Sequence, residues 1–191
     1  LWELQALSRS RPVAGHHEVG SRFQRLVADL TNFGQPNAAA ARDPNWKNQI
    51  ARMRLRIEKE RTAAGREALA FKTGAGGLMD AEFIAQMFSL AGGWHEPNTL
   101  RALHRAREAQ CLPAAAAHSL IDAYRRLRRV EAILRRWSYA GENTLPDDPA
   151  PLYRVAVRCG FANAEDFMRA VTRYRQNIRQ VYQLVFGQAT A

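Results

Sequence analysis

With 191 residues the chain is long enough for one domain with a sizeable core or two small ones. Its formal net charge of +10 rests almost wholly on arginine, since Lys47, Lys59 and Lys72 are the only lysines, and no apolar run reaches the length of a membrane span. No membrane partner is expected; the charge raises nucleic acid or another anionic partner, although solvated helix faces and paired guanidinium groups produce the same balance.

The chain begins at Leu1, and Leu1 to Leu7 already reads as the middle of a helix, so a piece of a longer protein is expected. The pattern of a signal peptide is missing. Cys111 and Cys159 fall within helical patterns and read as reduced core residues of a cytoplasmic protein, not as a disulfide or metal site.

Taken in order, residues 1–9 form a short helical piece ended by Pro12 and Gly15. His16, His17 and Glu18 could be read as metal ligands, but no third ligand recurs at helical spacing, and a loop or cap role is expected. Val19 to Phe33 is an amphipathic helix with Phe23, Leu26, Val27 and Leu30 on one side. After a connection over 32–42, Asp43 as N-cap and Pro44 at the first helical position open a long helix. Trp46, Ile50, Met53 and Ile57 form its buried stripe, and the arginines, lysine and glutamates from Arg52 to Arg61 cover the remainder, most of them as a solvated face with internal pairs.

Phe71 to Gln86 is the most informative stretch. Gly74, Gly76 and Gly77 crowd beside Lys72, just before an apolar run that starts a helix near Met79. Asp80 and Glu82 fall in the first turn, where the helix dipole favours carboxylates. Two readings stay open: a tight loop before a dipole-stabilised helix, or backbone amides and Lys72 presented to a phosphate. The spacing is not that of a P-loop or a dinucleotide fingerprint. At about 100° per residue Asp80 lies inside the apolar arc, so its carboxylate needs a partner: an arginine from another helix, a backbone donor or a ligand group.

That helix should end at Gly92-Gly93, and Pro97-Asn98-Thr99 should start the next, with Leu100, Leu103 and Ala106 inward. Pro113 begins the longest helix, reaching about Ala140, with Leu120, Ala123, Tyr124, Leu127, Val130, Leu134 and Trp137 on one arc. Glu131 sits inside that arc within reach of Arg128 and Arg135, either as an ion pair holding the bundle or as a lock on an arginine of a binding surface. A short helix from Pro149 or Pro151 to Gly160 follows. The last helix is capped by Asn163 and carries Phe167, Val171, Tyr174, Ile178, Val181 and Val185 inward. No segment alternates with period two. The expected fold is all-α, a bundle of about six to eight helices, with a helical segment over 1–35, the main bundle over 43–187 and a frayed tail at 188–191.

Known self-sufficient catalytic motifs are missing, and Asp80, Asp122, Asp147, Asp148 and Asp166 are scattered over different elements. No catalytic residue and no metal ligand is expected in this chain.

Several blocks resemble the glutamine synthetase adenylyltransferases. These are Trp2 to Leu7 with Arg9-x-Arg11-Pro12-Val13-Ala14-Gly15, and Arg54-x-Arg56-Ile57-Glu58-x-Glu60. The central block runs from Phe71-Lys72-Thr73-Gly74 through Gly76-Gly77-Leu78-x-Asp80-x-Glu82-Phe83-Ile84 to Gln86. Ala123-Tyr124-x-x-Leu127-Arg128-x-x-Glu131 and Asn143-Thr144-Leu145-Pro146 complete the set, which runs in order over almost the whole chain. The resemblance implies an enzyme of two similar halves. One attaches AMP from ATP to a tyrosine of glutamine synthetase, and the other removes it by phosphorolysis, under control of glutamine and the PII signalling protein. It implies a helical domain following a nucleotidyltransferase core, more like the second, adenylylating half, with ATP and Mg2+ held by that upstream core and neither assigned to this piece. Lys72, Gly74, Gly76, Gly77, Asp80 and Glu82 are then candidates to contact nucleotide phosphates or the core. The related uridylyltransferases carry a His-Asp pair after their core, and no His-Asp dipeptide occurs here. The rivals from other classes are a basic nucleic-acid-binding module, disfavoured by glutamates among the arginines, and a pure docking domain.

Overall fold

The structure is a computed structural model that describes residues 1–35, 43–138 and 142–187. Among the described residues there are eight helices and no strand: α1 (Trp2–Leu7), α2 (His17–Leu30), α3 (Trp46–Arg61), α4 (Leu78–Gly92), α5 (Thr99–Glu108), α6 (Ala114–Ser138), α7 (Pro149–Cys159) and α8 (Ala164–Phe186). The all-α expectation holds.

α4 is the axis of the bundle. Leu78, Asp80, Ala81, Phe83, Ile84, Ala85, Met87, Ser89 and Leu90 are all buried, so it is covered on nearly every side, as an apolar helix in a core must be. It touches α1, α3, α5, α6 and α8, while α6 and α8 pack along each other and hold α7. The helix ends follow local chemistry. The Asn98 and Asn163 side chains accept the Arg101 and Asp166 amides at the starts of α5 and α8. Gly93, at φ 64, ends α4 in the left-handed region open to a residue without Cβ.

Five local expectations change. α3 starts at Trp46, because Asp43 instead closes a turn with the Asn45 amide at 2.8 Å and holds Gln49. α2 ends at Leu30, where the Thr31 hydroxyl donates to Val27 O, and Phe33 leaves the helix to pack edge-on against Trp46. Of the stripe on α2 only Val27 is buried; Phe23, Leu26 and Leu30 are exposed. Trp137 is likewise exposed, with the Arg154 guanidinium 5.1 Å from its ring centre. Cys111 lies in an exposed turn, since Gln110 at φ 55 stops α5 before it. Cys159 ends α7 half-buried, and burial pushes its thiol up to about 11. The expected frayed tail, 188–191, lies outside the described residues.

Candidate functional site

The glycine loop folds onto itself. The Gly74 amide donates to Ala70 O at 3.1 Å, Gly77 to Gly74 O at 2.9 Å, Leu78 to Phe71 O at 3.0 Å and Met79 to Lys72 O at 3.1 Å. The Gly76 amide donates to Asp80 Oδ2 at 2.8 Å. The amides that would meet a phosphate are therefore satisfied by protein oxygens. Gly76, at φ +69, lies so close to α8 that a Cβ there would sit 2.0 Å from Arg175 O. Close approach of two backbones is what this glycine provides.

Beneath the loop lies a buried ionic hub. Asp80 and Arg54 are both inaccessible, with Arg54 Nε 2.6 Å from Asp80 Oδ1. Arg54 Nη2 donates to Thr73 O and Gly74 O at 2.9 Å each, so one guanidinium carries the loop backbone and the carboxylate together. Arg179 Nη1 reaches Asp80 Oδ2 at 3.1 Å and Glu58 Oε2 at 3.3 Å. From one turn earlier on α8, Arg175 donates to Ala75 O at 3.1 Å and Ala68 O at 2.7 Å. Burial alone would lower the Arg179 pKa, but Asp80 and Glu58 outweigh it and the net shift is upward. The Tyr182 phenol is pushed up to about 12 by burial and by Asp80. The hub joins α3, α4 and α8 and has the makings of an interlock.

The other quoted blocks also meet the central one. Lys72 Nζ lies 3.1 Å from Glu131 Oε1, and Glu131, 5% exposed, also pairs with Arg128 and, at 3.8 Å, with Arg135. The Lys72 amide donates to Asn143 O at 3.3 Å, and the Leu145 amide to Leu69 O at 2.9 Å. Gln5 Nε2 donates to Gln86 Oε1 at 2.6 Å, and Arg9 Nη1 lies 3.3 Å from Glu82 Oε2. Thus Lys72 and Glu82 sit half-buried at the edges of the site, while Gly74, Gly76, Gly77 and Asp80 are in its interior.

Outside the hub, a cleft of about 400 Å³ opens beside Glu82 and Tyr124, with Arg9, Arg11, Arg125 and Arg128 on its walls. Among the described residues no group of three or more His, Cys, Asp or Glu is arranged to hold a metal ion. Arg54 was missed by the reading of α3 as a solvated face, though its position four after Ile50 and three before Ile57 places it on the buried stripe. Arg175 and Arg179 carry no such signal, since α8 has arginines at 169, 173, 175 and 179 with nothing local to separate them.

Residues 45–186 match the family model described as GlnD PII-uridylyltransferase. Curated relatives named bifunctional glutamine synthetase adenylyltransferase/adenylyl-removing enzyme match almost the whole chain. That of Cutibacterium acnes is 31% identical over 97% of this chain, that of Thioalkalivibrio sulfidiphilus 31% over 97%, and that of Mycobacterium avium 32% over 97%. The chain spans 19% of the length of each of these relatives. With the blocks that carried the resemblance now gathered around the central one, and with these matches, the chain belongs to the glutamine synthetase adenylyltransferase family, as a helical part of it.

Proposed function

We propose that this chain is the helical domain of an enzyme that transfers AMP from ATP to a tyrosine of glutamine synthetase and reverses the transfer by phosphorolysis in nitrogen regulation. In this reading the chain is not catalytic by itself. ATP and Mg2+ are held by a nucleotidyltransferase core that precedes residues 1–35, glutamine synthetase is the protein substrate, PII is a regulator, and the enzyme works in the cytoplasm. The bundle over 43–187 supports the core and the substrate, and belongs to the second, adenylylating half.

The observation that carries the reading is convergence. Five blocks far apart in sequence meet at one loop through Arg9–Glu82, Arg54–Asp80, Lys72–Glu131 and the Lys72 amide to Asn143 O. The interior members hold α3, α4 and α8 in register, while Lys72 and Glu82 are half-buried and, in this reading, meet the neighbouring core. Support for packed helices alone would not require charged residues at that rim. The test is Lys72→Ala and Glu82→Gln in the full-length enzyme, assayed for adenylylation, de-adenylylation and ATP affinity. Loss of a charge-assisted contact predicts a fall of about tenfold or more in at least one rate. Unchanged rates and unchanged ATP affinity would overturn the role given to this rim.

A further inference from the structure

We propose that the cleft between α1, α4, α5 and α6 binds the phosphate chain of an anionic ligand, a polyphosphate or the triphosphate of a nucleotide. Its walls converge from four parts of the chain. Arg9 and Arg11 follow α1, while Arg125 and Arg128, three residues apart, project from one face of α6. All four arginines are solvent-exposed. Among the described residues Arg11 has no ion-pair partner, and Arg125 meets no carboxylate but the His104 ring, at 3.3 Å. Glu82 is the one carboxylate on the wall, and it is already engaged by Arg9. Arg9 is held by Glu82 and Arg128 by Glu131, so Arg11 and Arg125 are the two guanidinium groups that no carboxylate meets among the described residues, and four cations against these two carboxylates leave the cleft electropositive.

The floor adds donors. Asn98, Thr99 and Leu100 line the cleft at the N-terminus of α5, where helix geometry leaves the first amides without an intrahelical partner. The Asn98 side chain already takes the Arg101 amide, which leaves Thr99 and Leu100 to offer theirs. Tyr124, at the base, is 5% exposed and hydrogen-bonded to Thr99; burial first, and Glu82 second, hold its phenol above the ordinary pKa, so the floor carries no negative charge.

A single carboxylate is matched by one bidentate arginine. Four arginines spread around about 400 Å³, within the roughly 300–1,000 Å³ typical of ligand sites, match several linked charges instead. The buried Tyr124 ring offers no face for a base to stack on, so recognition falls on the phosphates. The inference stands apart from adenylyl transfer, because direct binding, not turnover, reads it out.

The experiment is calorimetric titration of the full chain with sodium tripolyphosphate and, in parallel, with ATP, without divalent ions and at fixed ionic strength. One site for tripolyphosphate is expected. Arg11→Ala with Arg125→Ala, both exposed and outside the buried hub, should weaken it about tenfold or more, as loss of charge-assisted hydrogen bonds does. Glu82→Gln should tighten it by freeing Arg9, an effect opposite in sign to that of a merely structural residue. Arg136→Ala with Arg158→Ala, beside Trp137, serves as a control and should leave it unchanged. Equal affinities identify the phosphate chain as the whole ligand, whereas tighter ATP binding identifies a nucleotide. Absence of binding, an equal loss in the control pair, or weaker binding in Glu82→Gln would overturn the proposal.

Discussion

Asp80 is the residue on which most of the interior depends, because it is fully buried and its partner Arg54 is too. Asp80→Asn keeps the shape but removes the charge, leaving the buried Arg54 guanidinium, among the Thr73 and Gly74 carbonyls, with only the partly exposed Glu58 carboxylate 3.4 Å from its Nη1. Breaking a buried pair from one side costs about 3–5 kcal/mol, so urea unfolding of Asp80→Asn should show a loss of that order. Glu58→Gln, whose carboxylate is 24% exposed, should lose clearly less. A loss below about 1 kcal/mol in Asp80→Asn, the range of exposed pairs, would show that the hub is not tightly desolvated. Tyr182 reports on the same hub from below. Its ordinary value of 10.0 is raised to about 12, so its contribution to stability is present below 10.0 and is lost as pH rises towards 12. Absorbance titration should show a phenolate forming near 12 that disappears in Tyr182→Phe; a normal midpoint would contradict the burial. The need of Asp80 for a partner was legible from its angle on the α4 wheel, and Arg54 could have been found on α3 by the same geometry. Arg179 could not, because its role depends on where α8 crosses α4, which no local spacing encodes.

At the scale of elements, helix ends were legible wherever side chains carry the capping. Asn98, Asn163 and Gly93 act within a few residues of themselves, so their sequence neighbourhood contains the whole interaction. Asp43 shows the limit: an aspartate before proline can cap a helix or close a turn, and here a turn with Asn45 delays the start of α3 by two residues, from Pro44 to Trp46. α2 shows another. Its periodicity correctly gave a helix with an apolar side, yet Val19, Phe23, Leu26 and Leu30 are 64%, 40%, 57% and 37% exposed. A hydrophobic stripe states what a helix is able to bury, and only tertiary contacts decide whether something covers it. α2 makes no extended contact with another helix and is pinned mainly through Val27 and the Thr31–Phe33 segment. Most helical stability comes from packing of such faces. Hydrogen exchange should therefore show α2 amides opening far more readily than those of α4, α6 and α8, which share the core. Equal protection across all four helices would mean that α2 is held by contacts as extensive as theirs.

For the whole molecule the excess of arginine has a structural destination that composition could not assign. Arg54, Arg175 and Arg179 are spent on the interior loop and hub, and Arg56, Arg126, Arg128 and Arg169 face carboxylates one turn away. α6, the helix that a nucleic-acid reading would choose, has Arg126 on Asp122, Arg128 and Arg135 on Glu131, and Arg125 on His104. Phosphate backbones are bound through counterion release, which needs many unpaired cations along one track. Paired arginines contribute less, since an approaching phosphate must displace a carboxylate already in place. The remaining attraction is diffuse and screened by salt. Fluorescence anisotropy with duplex DNA at physiological ionic strength should accordingly give nothing tighter than the roughly 10⁻⁴–10⁻⁶ M of non-specific binding, falling steeply with added salt. A nanomolar, sequence-dependent complex would require these ion pairs to open cooperatively. That outcome would make α6, and not the Arg54–Asp80 hub, the element around which this surface is organised.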